Sequence, residues 1–219
     1  MTDAPAAANA TALMNSIYRR QRHVYDATRK YYLLGRDGLI ERLAVRPGHT
    51  VLEIGCGTGR NLVLAARRYP GARFLGIDVS TDMLHTAISS IGHAGLSSRV
   101  RVAHADATAF DPAALFGAPR LDRIFISYSV SMIPQWQAVI DAALARLAPG
   151  GELHIVDFGS QSGLPAWFRN LLRRWLALFH VTPRDGLASV LASQADVRSA
   201  HLTIERPFRD YTIYARLKV

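Results

Sequence analysis

The chain has 219 residues, which suits one large domain with a substantial hydrophobic core. Hydrophobic residues make up 49% of it, a share that excludes an intrinsically disordered protein. The formal net charge of +9 favours anionic partners such as nucleic acid, anionic lipid or acidic small molecules, without choosing among them. The one cysteine, Cys56, excludes an intrachain disulfide framework and favours a reducing compartment such as the cytoplasm.

The first part of the chain divides into a leader and a helical region. Residues 1–12 are rich in alanine and polar residues and lack the basic-then-apolar layout of a signal peptide, so we interpret them as a disordered leader. Apolar residues at helical spacing follow, and we expect residues 13–46 to form a helical lid. The lid belongs to a single domain over residues 13–219, and no apolar run is long enough to cross a bilayer.

Short apolar runs then alternate with helical periodicity. The runs predict buried strands at Val51–Ile54, Phe74–Ile77, Val100–Ala103, Ile124–Ser127 and Leu153–Val156. The stretches between them predict helices at Asn61–Tyr69, Asp82–Ile91 and Pro134–Leu147. Strand and helix alternating at this pace indicate an α/β fold with a mostly parallel sheet and helices on both faces.

The last part of the chain has a different pattern. Residues 164–195 form a helical insertion, with helices predicted at Leu164–Val181 and Gly186–Ala195. The alternating segments His201–Glu205 and Tyr211–Leu217 then predict an antiparallel hairpin. A parallel α/β sheet finished by a hairpin is similar to the Rossmann-like, seven-stranded fold of class I methyltransferases.

A glycine-rich loop carries the strongest local signal. Residues 53–59 read EIGCGTG directly after a predicted strand and before a predicted helix. Glycines allow a tight turn and a close approach of backbone to ligand, and a helix N-terminus suits a polar or charged group. The third glycine comes one residue too early for a dinucleotide-binding loop, and Arg60 stands where that pattern requires glycine.

Polar residues follow the later strands in the same order. Asp78 ends the second strand, where an acid can bind ribose hydroxyls. Asp106 follows the third strand, where an acid can accept a hydrogen bond from an adenine amino group, and Ser127 ends the fourth. Ligands of open α/β sheets bind at the carboxyl ends of the strands, so these residues are expected to meet there.

The glycine loop resembles the first motif of S-adenosylmethionine-dependent methyltransferases. The resemblance implies S-adenosylmethionine as the cofactor and no metal. The cofactor-binding residues that it implies are Tyr32, Glu53, Gly55, Gly57, Gly59, Asn61, Asp78, Met83, Asp106, Ala107 and Ser127.

Methyl transfer requires no nucleophilic protein residue, so the candidate catalytic residues are aromatic. Aromatic faces stabilise a sulfonium or a growing methylammonium by cation–π contacts. Tyr128 follows the fourth strand directly, and Tyr25 lies in the predicted lid, so these two are the candidates. Cys56 lies inside the cofactor loop, where packing is its expected role.

The segment 25–37 resembles the bacterial betaine-lipid N-methyltransferases, which methylate diacylglycerylhomoserine three times. The likeness continues through residues 53–61 and 180–185. It implies a lipid substrate, a cytoplasmic enzyme peripheral on the inner membrane surface, and a quaternary ammonium product. Candidate substrate-binding residues are Arg29, Arg36, His180, Arg184 and Tyr214.

The predicted helix Leu164–Val181 is amphipathic. Its apolar residues repeat at helical spacing, and Arg169, Arg173 and Arg174 fall on the other side. A helix with aromatic residues on one face and basic residues on the other is typical of a membrane surface, although packing onto the domain would give the same pattern.

Other functions remain open. A phosphatidylethanolamine N-methyltransferase or a quinone or small-molecule methyltransferase would share the cofactor motifs. An RNA methyltransferase is a distant alternative, because residues 127–130 read SYSV and no RNA-reading motif is present, so no nucleic-acid partner is expected. Neither the oligomeric state nor the acceptor follows from the motifs.

Overall fold

The computed structural model describes residues 33–219. The predicted leader and most of the predicted lid, with Tyr25, Arg29 and Tyr32, lie outside the described residues. The strands are β1 Thr50–Ile54, β2 Arg73–Asp78, β3 Val100–His104, β4 Leu121–Ser127, β5 Leu147–Phe158, β6 His201–Glu205 and β7 Thr212–Lys218. The helices are α1 Arg36–Arg42, α2 Arg60–Arg68, α3 Thr81–His93, α4 Pro112–Phe116, α5 Trp136–Arg146, α6 Ala166–Ala177 and α7 Leu187–Arg198.

The seven strands form one sheet in the order β3-β2-β1-β4-β5-β7-β6. β1 to β5 are parallel, and β7 is antiparallel to both β5 and β6. The expected Rossmann-like methyltransferase fold, with its C-terminal antiparallel hairpin, is therefore confirmed. Strand order reverses between β1 and β4, so a crevice opens at the carboxyl ends of these two strands.

Both faces of the sheet are covered because the central strands are apolar on both sides. One face packs against α5 and α7 through residues such as Ile124, Trp136 and Leu187. The other face packs against α1, α2, α3 and α6 through residues such as Leu39 and Leu62. Strands buried on both faces read as continuous apolar runs, which is why their positions were predictable.

The structure differs from the predicted elements in three places. The strand predicted at Leu153–Val156 is longer, because β5 begins at Leu147 and includes Pro149–Gly151; a register shift between Leu121 and Arg123 on β4 accommodates the extra residues. The short helix α4 was not predicted; it begins at Pro112 and is capped by Asp111, whose Oδ1 accepts a hydrogen bond from the nitrogen of Ala113 at 2.9 Å. The helix predicted at Leu164–Val181 is shorter, at Ala166–Ala177.

Candidate functional site

The glycine loop leaves β1 at the crevice. Gly55, Gly57 and Gly59 all have positive φ, which residues with a side chain adopt at a cost. A β-carbon on Gly55 would collide with the Ser129 hydroxyl, and one on Gly59 would lie 3.1 Å from the Ala87 β-carbon. A β-carbon on Gly57 would meet nothing within 4 Å. Gly55 and Gly59 are thus required by packing, whereas the backbone of Gly57 faces open space that a ligand can enter.

Asp78, at the end of β2, braces this loop. Its Oδ2 accepts a hydrogen bond from the nitrogen of Gly57 at 2.7 Å. Its Oδ1 accepts one from the nitrogen of Ser80 at 2.9 Å, at the start of α3. One carboxylate therefore joins the loop after β1 to the turn after β2. This agrees with the prediction that the residues following the parallel strands meet at one edge of the sheet.

Glu53 and Asn61 form a buried polar pair beneath the loop. The Asn61 side-chain nitrogen donates a hydrogen bond to Glu53 Oε1 at 2.7 Å. Glu53 is the next-to-last residue of β1, and Asn61 is the second residue of α2. Because the pair fixes α2 against β1, it holds the shape of the glycine loop between them.

The ends of β2 and β3 bring the next candidates to the same edge. The nitrogen of Ala105 donates a hydrogen bond to the Asp78 carbonyl at 3.1 Å, so the residues after β3 lie beside Asp78. Asp106 is exposed, and its Oδ1 accepts hydrogen bonds from the Thr108 nitrogen at 2.8 Å and the Thr108 hydroxyl at 2.7 Å. Ala107 is half-buried, and Met83 is buried in the first turn of α3.

The end of β4 contributes hydroxyl groups. Ser127 is buried, and its hydroxyl has no hydrogen-bond partner among residues 33–219. A buried polar group of this kind needs a partner, so the hydroxyl fits a ligand in the crevice. Ser129, which the sequence analysis did not single out, donates to the carbonyls of Gly55 and Ser127, each at 3.3 Å. The sequence signal for Ser129 would have been its small size, because the tight turn at Gly55 leaves space only for a small side chain beside it.

Tyr128 points away from the loop into the α1 side of the core. Its hydroxyl donates a hydrogen bond to the Leu34 carbonyl at 2.5 Å and lies 3.1 Å from the Thr212 hydroxyl. Its ring packs edge-on against Phe158 with 4.8 Å between centroids. Burial raises the pKa of Tyr128 well above its ordinary value. These contacts favour anchoring of the segment before α1, and the catalytic role of Tyr128 stays a prediction.

The candidate substrate residues do not form one group. Arg36 begins α1 and is half-buried, whereas His180 is exposed beyond the end of α6. Arg184 donates hydrogen bonds to the carbonyls of Val130 at 3.3 Å and Ile133 at 2.8 Å, so it holds the 3-10 turn Val130–Met132 that follows β4.

Tyr214 lies apart from the crevice, in a buried polar network on β5 and β7. Its hydroxyl is 2.8 Å from Nδ1 of His154, and the Arg42 guanidinium lies over its ring at 4.6 Å from the centroid. His154 Nε2 in turn lies 3.0 Å from Glu152 Oε2, which also accepts a hydrogen bond from Arg216 Nε at 2.8 Å. These partners explain the burial of Tyr214 without a substrate.

Asp157 is a buried carboxylate that the sequence analysis missed. It accepts hydrogen bonds from the nitrogens of Ser131 at 3.0 Å and Phe158 at 2.7 Å. Burial raises its pKa to about 6. Asp157 and Arg184 thus hold the same 3-10 turn, one through an N–H group and the other through carbonyls. An acid directly after an apolar run, as at Val156–Asp157, was the available signal.

Cys56 packs against β2 rather than facing the crevice. A β-carbon on Gly76 would lie 2.9 Å from the Cys56 sulfur, so the thiol rests on the backbone of that glycine. Burial, together with the nearby Asp78 carboxylate, raises the pKa of the Cys56 thiol well above its ordinary value. A protonated, buried thiol is a poor nucleophile, in agreement with the expected packing role.

Helix α6 follows the carboxyl end of β5, and its apolar residues are divided between two environments. Leu176 is fully buried, and Leu172, Trp175 and Phe179 pack against the core. Others are exposed: Trp167 by 70%, Phe168 by 38%, Leu171 by 59% and, just beyond the helix, Leu178 by 71%.

Arg173, one of the arginines on the basic side of this helix, is half-buried. Its guanidinium donates hydrogen bonds to the Ser160 carbonyl at 3.0 Å and Gln161 Oε1 at 3.3 Å, and it pairs with Asp185 at 2.7 Å. Arg173 therefore braces α6 against the segment after β5. Among residues 33–219, no helix is both long and apolar enough to span a membrane.

Comparisons with known proteins agree with this geometry. Residues 51–151 match the family described as "Methyltransferase domain". The chain is 35% identical over 117 residues to a trans-aconitate 2-methyltransferase of Delftia acidovorans, covering 53% of this chain and 41% of that protein. It is 27% identical over 185 residues to the ubiquinone/menaquinone biosynthesis C-methyltransferase UbiE of Cereibacter sphaeroides, covering 83% of this chain and 69% of that protein.

A solved structure shares the fold over nearly the whole chain. The plantazolicin methyltransferase BpumL, in complex with SAH, superposes with a TM-score of 0.70 and 16% identity over 98% of this chain and 97% of its own. The chain spans only 41–42% of the length of the first curated relatives that it matches. The BpumL structure was solved with SAH bound, in agreement with the expectation of S-adenosylmethionine as the cofactor.

Proposed function

We propose that this chain, whose residues 51–151 match the family described as "Methyltransferase domain", is an S-adenosylmethionine-dependent methyltransferase that methylates the amino group of a membrane lipid. The substrate we favour is diacylglycerylhomoserine, which three transfers would convert to the betaine lipid diacylglyceryl-N,N,N-trimethylhomoserine. The protein would act in the cytoplasm, peripherally on the inner membrane surface. The resemblance of the segments 25–37 and 180–185 to betaine-lipid N-methyltransferases supports this choice.

The observation that carries the proposal is the exposed part of α6. Trp167, Phe168 and Leu171 are presented to solvent on a helix that follows the carboxyl end of β5, the edge of the sheet that also holds the glycine loop. Residues 164–181 contain no acidic residue, and the chain carries a net charge of +9. Aromatic and aliphatic side chains beside arginines suit the surface of an anionic bilayer. A lipid headgroup could then reach the crevice while its acyl chains stay in the membrane.

The chain offers a matching set of groups for the cofactor. When bound, S-adenosylmethionine supplies a methyl group on a positively charged sulfur. The backbone of Gly57 would face it, the carboxylate of Asp78 would be placed for ribose hydroxyls, and Asp106 would be placed for an adenine amino group. The Ser127 hydroxyl, buried without a hydrogen-bond partner among residues 33–219, would be available to the cofactor or the acceptor.

The contribution of the protein to the reaction would be orientation and exclusion of water. Holding two reactants in line can supply roughly 7–11 kcal/mol of the barrier reduction, so no protein nucleophile is needed. The acceptor nitrogen must be unprotonated to react, and aromatic faces would stabilise the methylammonium that results. Tyr25 and Tyr128 are the residues proposed for this role, and Tyr128 also donates a hydrogen bond to the Leu34 carbonyl.

Recognition of the headgroup carboxylate is assigned to arginine, which can bind it through two hydrogen bonds. Arg184 is already bound to two backbone carbonyls, so it would act by positioning the turn after β4. Arg29 and Arg36 are therefore the preferred candidates. Both lie on the segment that resembles the betaine-lipid enzymes.

A quinone-type methyltransferase is the second candidate. It is favoured by the similarity to UbiE, which extends over 83% of this chain. Such a substrate is also lipophilic, so the exposed face of α6 would serve it equally well. Phosphatidylethanolamine would need a phosphate clamp in place of a carboxylate clamp, and the same arginines could provide it.

A methyl-transfer assay tests the proposal. The purified chain would be incubated with radiolabelled S-adenosylmethionine and four acceptors in mixed micelles: diacylglycerylhomoserine, phosphatidylethanolamine, a demethylated quinone and total RNA. We expect stepwise labelling of mono-, di- and trimethylated diacylglycerylhomoserine, and much slower labelling by an Asp78→Asn variant at limiting S-adenosylmethionine. Label in the quinone alone would replace our substrate with the second candidate, and label in RNA alone would refute a lipid acceptor.

A further inference from the structure

The connection between β6 and β7 contains a strained turn. Phe208, Arg209 and Asp210 have φ of 56°, 58° and 60°, three successive left-handed residues without a glycine. For residues with a β-carbon this conformation is disfavoured, since the β-carbon crowds the following carbonyl. Strain of this kind persists only where surrounding contacts impose it, and it often marks a functional element.

Contacts from the segment after β5 impose this conformation. The buried carboxylate of Asp210 accepts hydrogen bonds from the hydroxyls of Ser160 and, at 2.9 Å, of Ser162. The Asp210 carbonyl accepts one from the nitrogen of Gln161 at 2.7 Å. A β-carbon on Gly163 would lie 2.9 Å from the β-carbon of Arg209, so no other residue fits there without a shift.

The result of this bracing is an exposed aromatic ring. Phe208 is 53% exposed, although the turn that carries it is tightly fixed. Thr212, just after the turn, pairs with Phe158 at the carboxyl end of β5, so the ring lies at the same edge of the sheet as the glycine loop. An exposed apolar side chain on a strained backbone does not stabilise the folded chain, so its position calls for a functional explanation.

Helix α6 is braced to the same segment. Arg173 binds Ser160 and Gln161, the residues that also hold the strained turn. Trp167 lies four residues after Gly163, so at most roughly 14 Å of chain separates it from the contact with Arg209. The exposed residues Trp167, Phe168 and Leu171 and the exposed ring of Phe208 are thus fixed to one scaffold, residues 159–163.

We propose that Phe208 and the exposed residues of α6 form one two-point docking surface for an anionic lipid bilayer. This inference rests on the proposed function and adds the second contact point. Arg169, Arg174 and Arg209 accompany the apolar residues, and no acidic residue lies between Gln161 and Arg184. Such a combination fits an anionic membrane interface, where aromatic rings enter the headgroup region and arginines bind phosphates. Two points fix the tilt of the crevice over the bilayer, which one helix alone would not.

The test is binding to vesicles by the full chain with Phe208→Asn. Asparagine tolerates left-handed backbone, so this variant should unfold at the same or a higher denaturant concentration than the wild type. Its affinity for phosphatidylglycerol vesicles should nevertheless fall about tenfold, and Trp167→Ala should weaken binding similarly. Ile88→Gln removes another exposed apolar side chain, on α3, and should bind like the wild type. Binding should be weak to phosphatidylcholine vesicles.

The outcomes separate this surface from the proposed function. Unchanged vesicle binding by Phe208→Asn would overturn the two-point surface, whichever lipid is methylated. If the wild-type chain methylated dispersed lipid but did not bind vesicles, the docking surface would be refuted and the proposed function would stand. Vesicle binding lost with Phe208→Asn, but no methylation of any lipid, would support the surface and refute the function. A dimer in sedimentation that Phe208→Asn dissociates would assign the surface to a second copy instead.

Discussion

Oδ2 of Asp78 lies 2.7 Å from the backbone nitrogen of Gly57, although 21 residues separate them along the chain. The contact joins the acid that ends β2 to the one glycine of the loop whose α-carbon faces open space. The cofactor crevice is therefore shaped by a carboxylate that is also proposed to bind the cofactor.

Asp78→Asn should weaken cofactor binding. An amide oxygen can replace one carboxylate oxygen, but the amide nitrogen cannot accept the second backbone hydrogen bond. Losing a charge-assisted bond costs about 1.5–3 kcal/mol, so we expect roughly 10- to 100-fold weaker binding of S-adenosylhomocysteine in calorimetry. Asp82→Asn, an exposed acid in the first turn of α3, is the control. Equal affinities of the two variants would remove Asp78 from the site.

Gly55→Ala should destabilise the fold through a collision as well as through backbone strain. The added β-carbon would meet the Ser129 hydroxyl, and the positive φ is unfavourable for alanine. Gly48→Ala is a matched control, because Gly48 also has positive φ but a β-carbon there meets nothing within 4 Å. We expect a loss of about 1–2 kcal/mol for the control. For Gly55→Ala we expect about 1–3 kcal/mol more, as in overpacked sites. Urea denaturation measures both, and equal losses would show that Ser129 moves freely.

Tyr128→Phe distinguishes an anchor from a catalytic residue. If the hydroxyl only holds the Leu34 carbonyl, its loss should cost about 1 kcal/mol of stability and leave cofactor affinity within a few-fold of the wild type. Tyr69→Phe is the control, since the Tyr69 hydroxyl also binds backbone carbonyls, those of Ile40 and Glu41. Thermal unfolding and turnover would be measured together. A fall in kcat beyond a hundredfold at unchanged stability would establish a catalytic role instead.

Asp157 should make stability depend on pH in the acidic range. Its pKa is raised from 3.8 to about 6, so between these values the folded chain keeps a proton that the unfolded chain has lost. The free energy of unfolding should therefore fall as the pH rises from about 4 to 6, by up to about 3 kcal/mol from this group.

Asp157→Asn removes that contribution and isolates it. Denaturant unfolding at pH 4.5 and pH 7 should show a smaller change for the variant than for the wild type, while Asp82→Asn should follow the wild type. Identical pH dependence in all three proteins would mean that the Asp157 carboxylate is ionised at little cost, through its hydrogen bonds to Ser131 and Phe158.

Much of the fold and the cofactor loop could be predicted because both are encoded locally. Val51–Ile54 and Ile124–Ser127 are apolar on both faces, so their continuous runs marked buried strands. Gly55, Gly57 and Gly59 marked a backbone that L-residues adopt at a cost. The acids after β2 and β3 then fell at one edge of the sheet because parallel strands share their carboxyl ends.

The partners of residues that meet from far apart along the chain could not be predicted. Tyr214 was a candidate substrate-binding residue, and only the pairing of β5 with β7 places it against His154. Arg173 belongs to the basic face by helical spacing, and only the fold shows that its guanidinium binds Ser160 and Asp185. The raised pKa of Asp157 could not be predicted from the sequence, because it results from burial of the carboxylate by elements that are distant along the chain.

The sequence by itself determined the α/β class, the alternation of strands and helices along the chain and the glycine loop, because periodicity and glycine conformation are properties of neighbouring residues. Only the tertiary structure decided which side chains face the crevice, which are exposed and which carboxylates are buried. Those properties arise from contacts between residues such as Tyr128 and Leu34, 94 positions apart, and no local pattern encodes the partner that a side chain meets when the sheet closes.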